Sequence, residues 1–336
     1  MKIVTGSCWE RFENAILFPE HGKNREELVE FVHSLSGDET IVTASLELLD
    51  LLVERFKKRK ESTLIYSNTL GELTLKEVYE LRKYLDFDVR GNFSGDDAPA
   101  SVIFVEGKTD AKFFKAVFKK IFNFRESRSQ PRNLKFIGRV FERDNFDLLY
   151  GKGNYVAVIP SEGNSGVLRN LGNFLRAMEV FGFSVDRIGV VVDRDGSDEA
   201  AAVQIYTKLH PFGPEKVGED LYLVGKTLVV PLTVGLPSNG EPLEKSGYAV
   251  EDLMLHLLEA EGLFEKIKPA VRTLTETLSR KLRPKEVIYL ALSAYGYWGN
   301  LEGFYELFVM RSRHRHVKNV LRKAGLLESL KLLALG

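Results

Sequence analysis

The sequence predicts an α/β protein whose main sheet is parallel and flanked by helices. Three observations carry that expectation. Continuous apolar runs rich in β-branched residues, SVIFV (101–105), YVAVIP (155–160) and RIGVVVD (187–193), are separated by helical patterns, as strands buried on both faces are. A smaller alternation of the same kind occupies residues 1–96. From residue 236 onward the pattern is mostly helical. The expected organisation is a small α/β domain over 1–96, the main sheet domain over 97–235 and a helical C-terminal extension over 236–336.

The elements follow in order. In the first part, AILF (15–18), TIVTAS (40–45) and STLIYS (62–67) read as short strands or apolar stretches. REELVEFVHSL (25–35), LELLDLLVERFKKR (46–59) and LTLKEVYELRKYL (73–85) place apolar residues at helical spacing between and after them. RGNFSGDDAPA (90–100), rich in Gly, Asp, Ser and Pro, reads as a boundary. In the main domain, DAKFFKAVFKKIF (110–122), GVLRNLGNFLRAMEVFG (166–182) and SDEAAAVQIYTKL (197–209) are helices between strands, and LYLVGKTLVVPL (221–232) holds one or two further strands. Residues 123–154 are polar, basic and aromatic, and read as an insertion, with a mobile loop over 123–136. Beyond the turn-rich LPSNGEPLEKSG (236–247) lie helical patterns at YAVEDLMLHLLEAEG (248–262) and KEVIYLALSAYG (285–296), then a basic final stretch, VMRSRHRHVKNVLRKAGLLESLKLL (309–333).

Composition narrows the function classes. Lys plus Arg equals Asp plus Glu at 47 each, so nucleic-acid binding requires a local patch rather than a global charge. The single cysteine, Cys8, excludes an internal disulfide framework and the common Cys-rich zinc modules, and it suits a reducing compartment. MKIVTGSCWERFENA has no apolar core of signal-peptide length, and no apolar run approaches the ~20 residues of a membrane span. A cytoplasmic protein with no membrane partner is expected.

The chemistry concentrates where strands end. Ligands of an open parallel sheet sit at the carboxyl edge of its strands. Glu106 and Asp110, in VEGKTD, stand at the end of the first main strand, and Asp193 and Asp195, in VVVDRDG, at the end of the third. The second strand ends in the small polar loop PSEGNSG (160–166). Carboxylates converging on one edge repel one another unless protonated or neutralised, and hard oxygen ligands suit Mg²⁺ or Mn²⁺. Each motif alone is common in plain turns; the pairing of the two in one α/β unit is what points to a site.

IFVEGKTDAKFF, the Gly-containing loop after the next strand, and VVVDRDG together resemble a Toprim domain, the catalytic module of topoisomerases, bacterial-type primases and several nucleases. The resemblance covers residues 101 to about 235. It implies that Glu106 acts in acid–base chemistry or holds metal, and that Asp193 and Asp195 hold Mg²⁺. Nothing marks a topoisomerase tyrosine, and one cysteine cannot build the zinc module usual in primases, which leaves the nucleases.

The N-terminal stretch PEHGKNREELVEFVHSLSGDETIVTASLELLDLL, with TLIYSNTLGELTLKEVYELRKYLDFD after it, resembles the last third of an ABC-type ATPase. The order ATPase then Toprim is that of the overcoming-lysogenization-defect (OLD) family of nucleases. Departures from it are specific. No G-x-x-x-x-G-K-[ST] loop occurs, Ala44 stands where that family has a histidine, and Ile16, Leu17 and Phe18 replace the acidic pair before PEHG. A truncated, degenerate ATPase domain serving dimerisation or docking is the expectation, without ATP hydrolysis.

Further candidates complete the set. Glu251 and Asp252 match an acidic segment that begins a helix near the metals in those relatives; the plain alternative is stabilisation of a helix N-terminus. Lys285, with Lys281 a near neighbour, is the candidate for a transition-state lysine by the same resemblance. Lys108 and Lys112, one helical turn apart, can meet a phosphate, or be solvated. Arg311, Arg315, Lys318 and Arg322 recur at helical spacing, as a nucleic-acid contact or a solvated face would. The expected function is Mg²⁺- or Mn²⁺-dependent cleavage of DNA or RNA. The alternatives are a non-catalytic nucleic-acid or nucleotide binding module, or a subunit working as a homodimer or with a separate ATPase partner.

Overall fold

A computed structural model describes residues 2–5, 16–17, 25–36, 40–42, 48, 51–52, 55, 64–67, 71–74, 97–131, 133–135, 137, 146–181, 183–194, 198–236, 243 and 247–335. The chain forms two compact units, one of residues 1–96 with 135–142 and 173–183, the other of 97–134, 143–172 and 184–336.

The first unit carries a five-stranded sheet in the order β2-β3-β1-β4-β5, with β1 Lys2–Thr5, β2 Ile16–Leu17, β3 Thr40–Val42, β4 Leu64–Ser67 and β5 Gly71–Thr74. β2, β3, β1 and β4 run parallel and β5 turns back antiparallel on β4. β1, in the opening MKIVT, is a strand that the sequence pattern does not predict; it lies at the centre of the sheet between β3 and β4. Helix α1, Arg25–Ser34, buries Leu28 and Val32. Thr43 to Ser45 and most of the two later helical patterns lie outside the described residues.

The second unit is α/β, built on an eight-stranded sheet flanked by helices. Its strands are β6 Ala100–Val105, β7 Arg125–Glu126, β8 Asp147–Gly151, β9 Asn154–Pro160, β10 Arg187–Asp193, β11 Glu215–Lys216, β12 Tyr222–Val224 and β13 Thr227–Val234, in the order β11-β12-β13-β10-β6-β9-β8-β7. The central four, β13, β10, β6 and β9, are parallel. All six residues of β6 are buried, which is why its sequence is apolar without alternation. The helices of this part of the chain are α2 Lys108–Ile121, α3 Gly163–Phe181, α4 Asp198–Leu209, α5 Val250–Ala260, α6 Leu263–Leu278, α7 Pro284–Ala294, α8 Leu301–Arg311, α9 His314–Lys323 and α10 Leu326–Ala334. No helix among the described residues is long and apolar enough to cross a membrane.

Two expectations need correction. Residues 123–154 are not merely an inserted loop, because β7 and β8 within them extend the sheet antiparallel from β9. The basic run 311–322 is not one helix. Ser312, extended at φ −61° and ψ 154°, ends α8; its hydroxyl donates to the Phe308 carbonyl at 2.7 Å, and the Arg313 N–H donates to Glu261 at 2.6 Å. Arg311 therefore closes α8, whereas Arg315, Lys318 and Arg322 belong to α9.

The C-terminal helix seals the sheet beneath β10. The Ser101 hydroxyl and the Asn154 amide both donate to the Leu333 carbonyl, at 2.8 and 3.1 Å, and a Cβ on Gly189 would lie 2.8 Å from Leu333 Cδ1. Helix α8 packs along α2, joining Phe113, Phe114 and Phe118 to Phe304, Tyr305 and Phe308 in one core.

One ion cluster pins α2 to the added strands. Lys115, almost fully buried, bonds Asp147 and Glu126 at 3.0 Å each and approaches Glu306 at 3.4 Å. Lys119 shares Glu126 and Glu306, and Lys112 holds both oxygens of Asp147 at 3.0 Å. The hydrogen bond from Lys115, followed by that from Lys119, lowers the Glu126 carboxyl to about 2. A depressed carboxylate stabilises the fold above its unfolded value, and that contribution is lost as pH falls from about 4.5 toward 2. Replacing Lys115 by Ala leaves Asp147 to Lys112, and Glu126 and Glu306 to share Lys119. An unfolding titration should lose about 2 kcal/mol, less than for an isolated buried pair because Lys112 and Lys119 remain. The same variant should lose less stability than the parent between pH 4.5 and 2.

Candidate active site

Parallel strands bring their carboxyl ends to one edge, and Glu106 and Asp193 are there. Glu106 follows β6, and its Oε1 accepts the backbone N–H of Asp193, the last residue of β10, at 3.1 Å across 87 residues of sequence. Both side chains are half-buried. The polar loop after β9 joins them: the Gly163 N–H donates to the Glu106 carbonyl at 3.0 Å, with Gly163 at φ +74°, and the Ser161 N–H donates to Val105 at 2.7 Å.

Asp110 lies one turn into α2. Its Oδ2 accepts the Gly107 N–H at 2.9 Å, closing the helix start. Burial, and then the charge of Glu251, raises its carboxyl to about 7, with Glu106 adding to the rise; the Gly107 bond and the charge of Lys285 oppose it. Desolvation and like charge outweigh the bonds that favour the anion. Glu106, Asp110, Glu251 and Lys285, drawn from three stretches of sequence, thus act on one another.

The start of α5 is tied to the same edge through backbone. The N–H of Arg194, just past β10, donates to Val234 at 3.1 Å and to Tyr248 at 2.9 Å. Asp252 Oδ2 in turn accepts the N–H groups of Tyr248 and Ala249 at 2.8 and 2.9 Å. The helix-capping role considered for the Glu251–Asp252 pair is therefore real for Asp252. Its other oxygen, Oδ1, is buried without a hydrogen-bond partner. Glu251 is half-buried beside it.

The basic candidates separate. Lys285, exposed at the second position of α7, faces Asp110 closely enough to oppose its rise. Lys108 is exposed at the first residue of α2. Lys112 is already held by Asp147 and is not a free phosphate contact. Arg311 lines a separate cleft of about 340 Å³ with Glu261, Lys266 and Tyr295. Arg315 and Arg322 are exposed on α9 and Lys318 is half-buried there. Asp195 lies outside the described residues.

Comparison with known proteins places this edge in a family. A family model described as "Protein of unknown function (DUF3226)" matches residues 100–324, more than half of the chain. The chain belongs to that family. The DUF3226 match takes in Glu106, Asp110, Asp193, Glu251 and Lys285. A crystal structure of hypothetical protein PH0156 from Pyrococcus horikoshii OT3 is similar over 70% of this chain and 99% of that one, with a TM-score of 0.61 and 24% identity. That likeness shows the α/β fold of the DUF3226 chain. No curated protein matches it.

Two features of the site have no signal in the sequence. The hydroxyl of Tyr305, on α8, is buried with no hydrogen-bond partner, and Glu251, Asp110 and Asp252 bear on it. Nothing in LEGFYELFVM (301–310) separates that tyrosine from its apolar neighbours. Asn164, in the polar loop, also has a buried oxygen without a partner. The donor set at the edge is all oxygen and carries more negative than positive charge, which fits a hard divalent cation. Among the described residues, no three acid or imidazole groups already stand close enough together to hold one.

Proposed function

We propose that the acid edge is the cation-dependent active site of a Toprim-like nuclease that cleaves phosphodiester bonds in DNA or RNA. The observation that carries the reading is the meeting of Glu106 with Asp193 at adjacent strand ends. Glu251, close enough to raise the proton affinity of Asp110, adds with it to the surplus charge that a cation would neutralise. Glu106, Asp193 and Asp195 would hold Mg²⁺ or Mn²⁺, with Asp110, Glu251 and Asp252 beside them. When bound, such a cation supplies positive charge at the phosphate and acidifies water.

The chain's own residues supply the rest. Glu106 is fixed by the Asp193 N–H, so its carboxylate is oriented to take or hold a proton at the edge. Lys285 and Lys108, both exposed, bind phosphate oxygens beside the acids. Asp110 is the proton reservoir of the group. Cytoplasmic action on nucleic acid belongs to the same reading, supported by the single cysteine and by the absence among the described residues of a helix fit to cross a membrane.

The test is incubation of labelled single- and double-stranded DNA and RNA with Mg²⁺, Mn²⁺ or EDTA. Cutting that requires the cation supports the nuclease. A folded protein that binds Mn²⁺ yet leaves all four intact would leave a binding module or a subunit that needs a separate ATPase partner. A second outcome follows from Asp110. Its carboxyl keeps a proton up to about pH 7, whereas the unfolded chain loses it near 3.8, so this group's contribution to stability falls as pH rises across that window. Cation binding should displace that proton. Calorimetry in buffers of different ionisation enthalpy should record release of about one proton near pH 6 and little near pH 8.5. Equal release at both would show that Asp110 is not part of the site.

A further inference from the structure

Tryptophan is rarely left wholly in water, because burying its ring removes a large apolar area from solvent. Trp298, between α7 and α8, is 99% exposed. Its loop is nevertheless tied down on both sides. The Gly296 N–H donates to the Ser293 carbonyl at 3.0 Å, with Gly296 at φ +71°, and the Tyr297 N–H donates to Leu292 at 3.1 Å. The Tyr297 ring packs on Phe304 with centroids 5.9 Å apart, and a Cβ on Gly299 or Gly303 would collide with its hydroxyl. The Asn300 side chain accepts the Gly303 N–H at 2.8 Å where α8 begins. The loop thus packs Tyr297 against the core and holds Trp298 in solvent.

That loop leaves the rim of the cleft of about 340 Å³. Ala294 and Tyr295 line the cleft from the end of α7, Lys266 from α6 and Arg311 from the end of α8. Trp298 is three residues beyond Tyr295, so their Cα atoms are at most about 11 Å apart. Lys266 and Arg311 are exposed, and neither takes part in a hydrogen bond or ion pair among the described residues. The acid of the lining, Glu261, is already committed. Its Oε1 accepts the Arg313 N–H at 2.6 Å and meets His316 Nδ1 at 2.9 Å, and its Oε2 lies 4.0 Å from Arg313 Nε. Glu265, next to Lys266 in sequence, is paired with Lys268 at 3.6 Å. A cleft whose cations are uncommitted and whose acid is not attracts an anion. Cations for the phosphates and an exposed ring for the bases are what holds a single strand. In a duplex the bases are stacked on one another, which leaves no face for Trp298. We propose that the cleft and Trp298 form a binding site for single-stranded nucleic acid, with a phosphate between Lys266 and Arg311 and a base stacked on Trp298. The inference deepens the nuclease reading above, on which its choice of nucleic acid rests, and it does not involve the cation.

The experiment measures binding in EDTA, where no cation-dependent cutting occurs. In a Trp9→Phe background Trp298 is the sole tryptophan of the full chain. A single-stranded oligothymidylate about twelve nucleotides long should quench its emission, and a duplex of the same length should not. By anisotropy of the labelled strand, Trp298→Ala should bind about tenfold more weakly. Lys266→Gln with Arg311→Gln should flatten the dependence of log affinity on log salt by about 0.7 for each side chain removed. All three side chains are exposed, so melting temperatures should match the parent's. Unquenched emission with the strand bound, parent affinity in Trp298→Ala, a parent salt slope in the doubly neutralised variant, or equal affinity for the duplex would overturn the inference and leave the acid edge as proposed. So would emission that shifts to the blue as the protein alone is concentrated, which would place Trp298 between two copies of the chain. A parent protein that binds neither strand nor duplex at low salt overturns the nucleic-acid reading itself, and the inference with it.

Discussion

Glu106→Gln should lower cation-dependent cleavage about a thousand-fold or more and leave the fold intact. The amide matches the carboxylate in shape, and its oxygen still accepts the Asp193 N–H, so the two strand ends stay in register. What disappears is a negative charge and a proton acceptor at the proposed site. Asp193→Asn should act in the same direction. Because Asp193 donates to Glu106 through its main chain, its side chain can lose charge without releasing Glu106. Melting curves and cleavage rates together check this: a large loss of rate at constant melting temperature is expected. A variant that cuts at the parent rate would remove Glu106 from the mechanism.

Gly235→Ala should cost about 3 kcal/mol or more of folding stability, the largest effect expected of any single methyl group here. Gly235 follows β13 at φ +145°, a backbone conformation that side chains resist. A Cβ there would lie 2.3 Å from the Gly247 carbonyl oxygen and 3.0 Å from Tyr248 Cα. Backbone cannot swing aside as a side-chain tip can. The displaced segment, 247–249, is the one whose N–H groups Asp252 caps and whose Tyr248 carbonyl receives the Arg194 N–H. The substitution should therefore also weaken Mn²⁺ binding, by moving the start of α5. Urea unfolding and calorimetry measure the two effects separately. Stability within about 1 kcal/mol of the parent would mean that this close approach is not fixed.

Much of the α/β fold was legible in the sequence because its strands are buried on both faces. Continuous apolar runs between helical patterns rarely arise in another fold class, and the carboxyl edge follows from parallel pairing alone. Glu106 and Asp193 were legible for that reason. The roles of Asp110 and Asp252 were harder to read. A carboxylate three residues into a helix serves a cap and a site equally well, and both side chains do accept the N–H of their N-cap residue, Gly107 and Ala249. Lys112 looked free because Asp147, its partner, lies 35 residues away on a strand that the polar composition of 123–154 concealed. The break at Ser312 was hidden because serine is tolerated within a helix, and only its bond to Phe308 shows it turning the chain. Tyr305 was invisible because its ring belongs to the core and only its last atom does not.

The decisive measurement is the rate at which the purified full chain cleaves end-labelled single-stranded DNA and RNA in Mn²⁺, in excess EDTA, and after Mn²⁺ is restored. The acid edge predicts cutting that stops with EDTA and returns with the cation. Cutting that continues undiminished in EDTA, or none under any of the three conditions, would contradict it.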